Sequence, residues 1–208
     1  QSYLEEIKNH LSKAISGDIL TDPISKALYS TDASIYQIEP LIIVFPKSEE
    51  DLIAIIETAY KYKLPVLPRG AGTSLAGQTT CEGIIIDFSK YMHKLIEINT
   101  EEKWVSVQPG IVLDELNQII YNTGLMFAPD PSTSNRSTIG GALGNNSCGA
   151  HSLVWGKTVD NVQDISGVLS NGDKIKFTST NQSTIVEKTN QNTLESSIYK
   201  TLDTIPQN

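Results

Sequence analysis

The sequence predicts an α+β fold, and three observations carry that reading. Short apolar runs recur, as at residues 41–45 (LIIVF) and 84–87 (IIID). Between them stand segments with apolar residues at helical spacing, such as Leu4, Ile7, Leu11 and Ile15, or Leu52, Ile55, Ile56 and Ala59. Their order is strand, helix, strand, loop, strand, hairpin, helix, which is not a regular βαβ series.

Each element has a local reason. The leading amphipathic helix stops at Gly17, and a polar link with Pro23 follows. Residues 41–45 read as a buried strand stopped by Pro46, and Ser48 caps the next helix with Asp51 in its first turn. Val66 to Pro68 is strand-like and runs straight into a glycine-rich loop; Ile84–Asp87 is the next buried strand. Leu95–Ile98 and Trp104–Val107 flank a polar turn and read as a hairpin, and a helix from Leu113 to Tyr121 closes at Gly124. Ile139, Ala142 and Leu143 mark a short, closely packed helix. Residues 161–169 and 173–178 read as strands joined at Asn171-Gly172, a two-residue hairpin signal. The polar tract 179–193 reads as a mobile loop, and Leu194 to Leu202 as a final amphipathic segment before the end at Asn208.

Composition narrows the function classes. A chain of 208 residues with 39% apolar residues has ample sequence for a core, and it holds no apolar stretch long enough to span a membrane. No secretory signal is visible, although the chain opens at Gln1 rather than Met, so a removed leader stays open. The net charge of −8 disfavours nucleic acid as a partner, yet a small anion can still be held by backbone N–H groups. Cys81 and Cys148 read as reduced thiols of a cytoplasmic protein. Without CxxC or Cys/His spacing, no zinc or iron–sulfur site is expected inside this segment. The expected location is the cytoplasm, with a peripheral place at the inner face of the membrane as a variant.

Chemistry gathers at two constellations. The first is Arg69 to Gln78 (RGAGTSLAGQ), where Gly70, Gly72 and Gly77 fall among Thr73, Ser74 and Gln78. Glycine permits positive dihedrals, so successive N–H groups can close around phosphate oxygens. Arg69 supplies positive charge or braces the loop from behind. A tight surface turn also needs glycines. The spacing is neither GxGxxG opening a helix nor GxxxxGK[ST], so NAD-type and ATP-type phosphate loops do not fit.

The second constellation is a series: Val107-Gln108-Pro109-Gly110, Asp130-Pro131-Ser132, Ser137-Thr138-Ile139-Gly140-Gly141, Gly144 to Gly149 (GNNSCG), and Trp155 to Val162 (WGKTVDNV). Small residues at this density let backbone approach a large flat ligand. Any one of these motifs alone fits a merely crowded packing of glycines.

Taken in this order, the motifs resemble the FAD-binding domain of the vanillyl-alcohol oxidase and p-cresol methylhydroxylase superfamily, from about Pro40 to Asp173. GNNSCGAHSLVWGKTVDNV is similar to the D-lactate, glycolate and D-2-hydroxyglutarate dehydrogenase branch, in its long form fused to an iron–sulfur C-terminal part. The resemblance implies a two-subdomain FAD-binding fold of the p-cresol methylhydroxylase type, incomplete at the C-terminus. Residues 1–39 would be a helix and lead-in, 40–108 the first subdomain, and 109–208 the start of the second. It implies that Gly70, Ala71, Gly72, Thr73 and Ser74 donate to the pyrophosphate, with Arg69 opening the loop and Gly77 and Gln78 closing it. Pro109 and Gly110 would turn at the flavin ring, while Pro131, Ser132, Thr138, Gly140 and Gly141 line the isoalloxazine and ribityl chain. Asn145 and Gly149 would pass the cofactor, and Trp155, Gly156 and Thr158 return along it. Asp160, Asn161 and Val162 would lead to the adenosine half.

Some relatives bond the flavin to a His in this loop, and none stands between Arg69 and Gln78, so the implied FAD is non-covalent. The implied reaction is oxidation of a D-2-hydroxy acid by hydride transfer to flavin. Its catalytic base is expected beyond this chain, an iron–sulfur cluster would belong to the C-terminal part of the long form, and the electron acceptor is not read from the sequence. Of His10, His93 and His151, the first two read as surface residues, and no base–carboxylate pair or metal cluster stands out; the catalytic set within the chain is empty. Other chemistries on the same fold are a sugar or aldonolactone oxidase and a nucleotide-sugar reductase, and a different class is a non-catalytic phosphate-ligand module.

Overall fold

The two strongest apolar runs lie side by side in the middle of a four-stranded sheet. In the computed structural model, which describes residues 2–205, strands β2 (Ile42–Phe45) and β4 (Ile84–Asp87) pair in parallel with Ile43 opposite Ile85. Strand β3 (Val66–Arg69) joins β4 in parallel and β1 (Asp18–Leu20) joins β2 antiparallel, giving the order β1-β2-β4-β3. The end at Asn208 lies outside the described residues. Two compact units divide the chain, 1–161 and 162–208.

Central parallel strands are covered on both faces, which is why β2 and β4 are apolar without alternation. On one face Ile42, Val44, Ile84 and Ile86 pack with Ile7 and Leu11 of α1 (Tyr3–Ala14) and with Ile55 and Ala59 of α3 (Glu49–Tyr62). On the other, Ile43, Phe45 and Ile85 meet Leu20, Tyr29, Leu67 and Tyr91. The expected cap of α3 is present, with the Asp51 N–H donating to Ser48 Oγ at 3.2 Å. Buried Asp51 in turn accepts from the N–H groups of Ser16 and Lys47 at 2.8 and 2.9 Å, tying the end of α1 to the start of α3. Burial opposes its charge, but these bonds hold the Asp51 carboxyl below the usual range.

The hairpin β5 (Leu95–Asn99) and β6 (Trp104–Val107) packs Leu95, Ile98, Val105 and Val107 against Leu116 and Ile120 of α4 (Leu113–Ile120). A 3-10 turn over Tyr121–Thr123 then ends at Gly124, which is left-handed at φ 72° as a helix stop requires.

Three segments differ from the sequence reading. The polar link contains β1 and α2 (Pro23–Tyr29), whose start is capped by Asp22 accepting from the Ser25 N–H at 3.0 Å. Helix α2 has Ile24, Ala27 and Leu28 at helical spacing, but it is only seven residues long and that face is exposed rather than packed on the core. The tract 179–193 contains α7 (Gln182–Thr189), not a loop; Asn181 caps it, and its polar composition hides it. The first strand of the second hairpin starts at Ile165 rather than 161, because Thr158–Asn161 is a 3-10 turn. In the second unit, β7 (Ile165–Val168) and β8 (Lys174–Phe177) form that hairpin with Gly172 left-handed at φ 93°. Helix α8 (Leu194–Asp203) follows α7, and Lys188 meets Glu195 at 2.5 Å.

Candidate functional site

The glycine loop leaves the C-terminal end of β3, where two residues must be left-handed: Gly72 at φ 68° and Gly77 at φ 81°. The N–H groups of Gly70, Ala71, Gly72, Thr73, Ser74 and Leu75 meet no acceptor among the described residues. Ala71 and Leu75 are exposed and the others half-buried, so water or a ligand can reach this run. At Ala76 the run ends, because that N–H donates to Gln78 Oε1 at 3.1 Å. Six consecutive open donors on a solvent-facing loop are an arrangement that could accept an anion.

Arg69, read as either charge or brace, is a brace. Its Nη1 donates to the carbonyls of Tyr29 at 3.1 Å and Thr79 at 2.8 Å, and Nη2 to Thr31 at 2.8 Å. The guanidinium also lies over the Tyr29 ring at 5.1 Å. Burial lowers the Arg69 pKa, against the pull of Tyr29, Asp87 and Asp32. The Tyr29 hydroxyl donates to Asp87 Oδ2 at 2.6 Å; burial first, and then that carboxylate, push its pKa up.

The second constellation folds onto the first. A Cβ on Gly70 would stand 2.3 Å from Thr138 Oγ1, Thr73 Oγ1 lies 3.5 Å from Ser137 Oγ, and Gln78 Nε2 donates to Asn145 Oδ1 at 3.1 Å. Thr138 caps α5 (Ile139–Asn145) by accepting from the Gly141 N–H at 3.2 Å. The N–H groups of Ile139 and Gly140 are already used, on the carbonyls of Ile111 and Pro109 at 2.9 and 2.8 Å. The start of α5 therefore docks on the Pro109–Ile111 turn, and glycine at 140 is required because a Cβ would lie 2.7 Å from that of Pro109. Gly110 is likewise hemmed in, its Cβ position 2.2 Å from the Phe88 carbonyl. Pro131 accepts from the Ser134 N–H at 2.9 Å, and Ser132 is exposed in that turn.

Farther along, Gly149 packs on Asp130, whose carbonyl would stand 2.0 Å from a Cβ there. Asp130 also binds His151 through Nδ1 and through its N–H at 3.2 Å, and the His151 ring stacks on Trp155 at 4.9 Å. The bond from His151 holds the Asp130 carboxyl below its usual range. Helix α6 (Ser152–Trp155) ends at Gly156, φ 78°, where Asp160 accepts from the Lys157 N–H at 2.8 Å. Buried Thr158 donates to the Ser147 carbonyl at 2.8 Å, and Asn161 Nδ2 to those of Trp155 and Lys157 at 3.0 and 2.9 Å.

The structure thus joins Gly70, Thr73 and Gln78 to the Ser137–Asn145 segment, and Pro109 to Gly140. Trp155, Gly156, Asp160 and Asn161 close a turn of their own, and Val162 opens the second unit. Tyr29, Asp32, Tyr36 and Asp87 lie behind the loop and were missing from the sequence reading; their contacts span dozens of residues and leave no local signal. His10 and His93 are exposed, the latter with Nδ1 at 2.8 Å from the Ser89 carbonyl. Among the described residues no cluster of three His, Cys, Asp or Glu is placed to hold a metal, and no helix is long and apolar enough to cross a membrane.

A family model described as FAD binding domain matches residues 40–178. The chain is 42% identical over 175 residues to D-2-hydroxyglutarate dehydrogenase of Escherichia coli K12, covering 83% of this chain and 17% of that protein. Against the enzyme of the same name from Haemophilus influenzae it is 37% identical over 208 residues, 99% of this chain and 20% of that protein. The chain therefore spans about a fifth of the length of these relatives. The structure of p-cresol methylhydroxylase with substrate bound matches with a TM-score of 0.74 at 18% identity, covering 85% of this chain and 35% of that one. The fold is that FAD-binding fold.

Proposed function

The chain belongs to the FAD binding domain family, and on that premise we propose that it holds the cofactor of an oxidoreductase acting on a D-2-hydroxy acid of the lactate, glycolate or 2-hydroxyglutarate class. The observation that carries this reading is the run of open N–H groups from Gly70 to Leu75, seated against Thr138 and Ser137. Neutral N–H donors suit pyrophosphate oxygens, and they do so in a chain of net charge −8 without clustered cations. The residues fit the group. When bound, FAD supplies an acceptor for a hydride from the substrate carbon.

What remains is the work of the chain. Gly70, Ala71, Gly72, Thr73 and Ser74 hold the phosphates, Arg69 fixes the loop's shape without touching them, and Gly77 and Gln78 close it. Pro109, Gly110, Pro131, Ser132, Thr138, Gly140 and Gly141 line the ring and ribityl chain. Asn145, Gly149, Trp155, Gly156, Thr158, Asp160 and Asn161 shape the loops that pass the cofactor. With no His between Arg69 and Gln78, binding is non-covalent. We place the substrate base, the electron acceptor and an iron–sulfur cluster in polypeptide beyond this chain. The order of motifs supports subdomains at 40–108 and 109–208 after a lead-in at 1–39.

Titration calorimetry of the chain with FAD, ADP and inorganic phosphate tests the reading. FAD is expected to bind at least about tenfold more tightly than ADP, a gain of roughly 1.4 kcal/mol from flavin contacts. Equal affinities would leave a phosphate-ligand module instead. In the full-length protein, D-2-hydroxyglutarate or D-lactate is expected to bleach the flavin absorbance.

A further inference from the structure

The family model begins at residue 40, yet the phosphate loop leans on chain that precedes it. The carbonyls of Tyr29 and Thr31 receive Arg69. The Ala33 N–H donates to the Gly72 carbonyl at 3.1 Å. Asp32 Oδ2 accepts from Thr79, from Oγ1 at 2.8 Å and from the N–H at 3.4 Å. The Tyr36 ring fills the space over Gly77, 2.6 Å from where a Cβ would stand. The segment is itself closed: Thr31 bridges to Gln37, the Ile38 N–H donates to Ser30 O at 2.8 Å, and Asp32 Oδ1 accepts from the Ser34 N–H at 2.8 Å.

We propose that residues 29–37 are a strap that sets the conformation of the phosphate loop, with Asp32 and Tyr36 as positioning residues for its open N–H groups. The strap touches the two left-handed glycines, Gly72 and Gly77, and it holds the exit of the loop at Thr79. Those are the points where a glycine-rich backbone would otherwise wander. A loop whose donors make no bonds of their own gains its order from its back side, and binding is tighter when that order exists beforehand. The inference rests on reading residues 70–75 as the phosphate-holding run.

The test uses Asp32→Asn, Tyr36→Ala and Tyr36→Phe in the chain, with two readouts. Asparagine turns an amide toward donors that need an acceptor; alanine empties the space over Gly77; phenylalanine keeps the ring. Hydrogen exchange without ligand is read at the Ala33 amide, whose bond to Gly72 neither residue makes. Its protection is expected to fall at least about tenfold in Asp32→Asn and Tyr36→Ala and to persist in Tyr36→Phe, while amides of β2 and β4 keep theirs. FAD and ADP affinities are expected to fall together, by about tenfold, in the same two variants. Unchanged exchange at Ala33 overturns the strap, and so does loss spread equally through β2 and β4, or unchanged affinity where exchange has risen. If the unsubstituted chain binds neither ligand, the functional reading fails while Ala33 exchange still decides the strap.

Discussion

The sheet core and the glycine-loop region are built by opposite means. In the core, Ile42, Ile43, Val44, Ile84, Ile85 and Ile86 are wholly buried, and order follows from removing apolar area from water. Around the loop few apolar side chains are buried. Order there follows from glycines that admit backbone where a Cβ would not fit, and from single bonds such as Gln78 to Asn145 and Thr158 to Ser147. Core burial and loop shape are therefore written in different residues.

The sharpest way to break that comparison is Ile85→Ala. It removes a fully buried side chain between β2 and β3 and is expected to cost about 2–5 kcal/mol in urea unfolding. FAD affinity of the molecules still folded should not change. An affinity that drops in step with stability would mean that the core also sets the loop.

Gly149→Ala and Gly124→Ala form the next pair. At 149 a Cβ would press on the Asp130 carbonyl, so the loop must move, and FAD affinity is expected to fall about tenfold with a smaller loss of stability. At 124 nothing lies within 4 Å of a Cβ, but φ is 72°, so alanine is expected to cost roughly 1–2 kcal/mol of stability and no affinity. Calorimetry and urea unfolding on both variants separate the two kinds of glycine.

The same contrast explains what was legible in the sequence. Strands β2 and β4 announce themselves as apolar runs, and Ser48, Gly124 and Asn171-Gly172 mark a cap, a stop and a turn by local chemistry. Helices α2 and α7 are short and have no fully buried residue, so no long apolar stripe marks them even though Asp22 and Asn181 are ordinary caps. At the site, the order of glycine motifs outlined the loop, because glycine is demanded by close approach. The sequence left Arg69 open between charge and brace, and the contribution of Tyr29, Asp32 and Tyr36 was not legible. Each depends on a contact 38 to 58 residues away, fixed only when α2 and the strap fold behind β3.

Two carboxylates give the smallest and most discriminating effect. Burial raises the pKa of both Asp51 and Asp32, but bonds from Lys47 and Ser16 in one case, and from Ser34 and Thr79 in the other, bring each below the usual aspartate value of 3.8. A carboxylate whose folded pKa is depressed adds stability that is present above its unfolded value and lost as pH falls through the folded one. The difference in urea midpoint between the unsubstituted chain and Asp51→Asn is therefore expected to be full at neutral pH and to close as pH falls below about 4. Asp32→Asn should show the same pH window in Ala33 exchange, with little movement of the midpoint, because Asp32 ties the strap to the loop rather than α1 to α3. A midpoint gap at Asp51 that stays open in acid would show that its shape, and not its charge, holds those helices together.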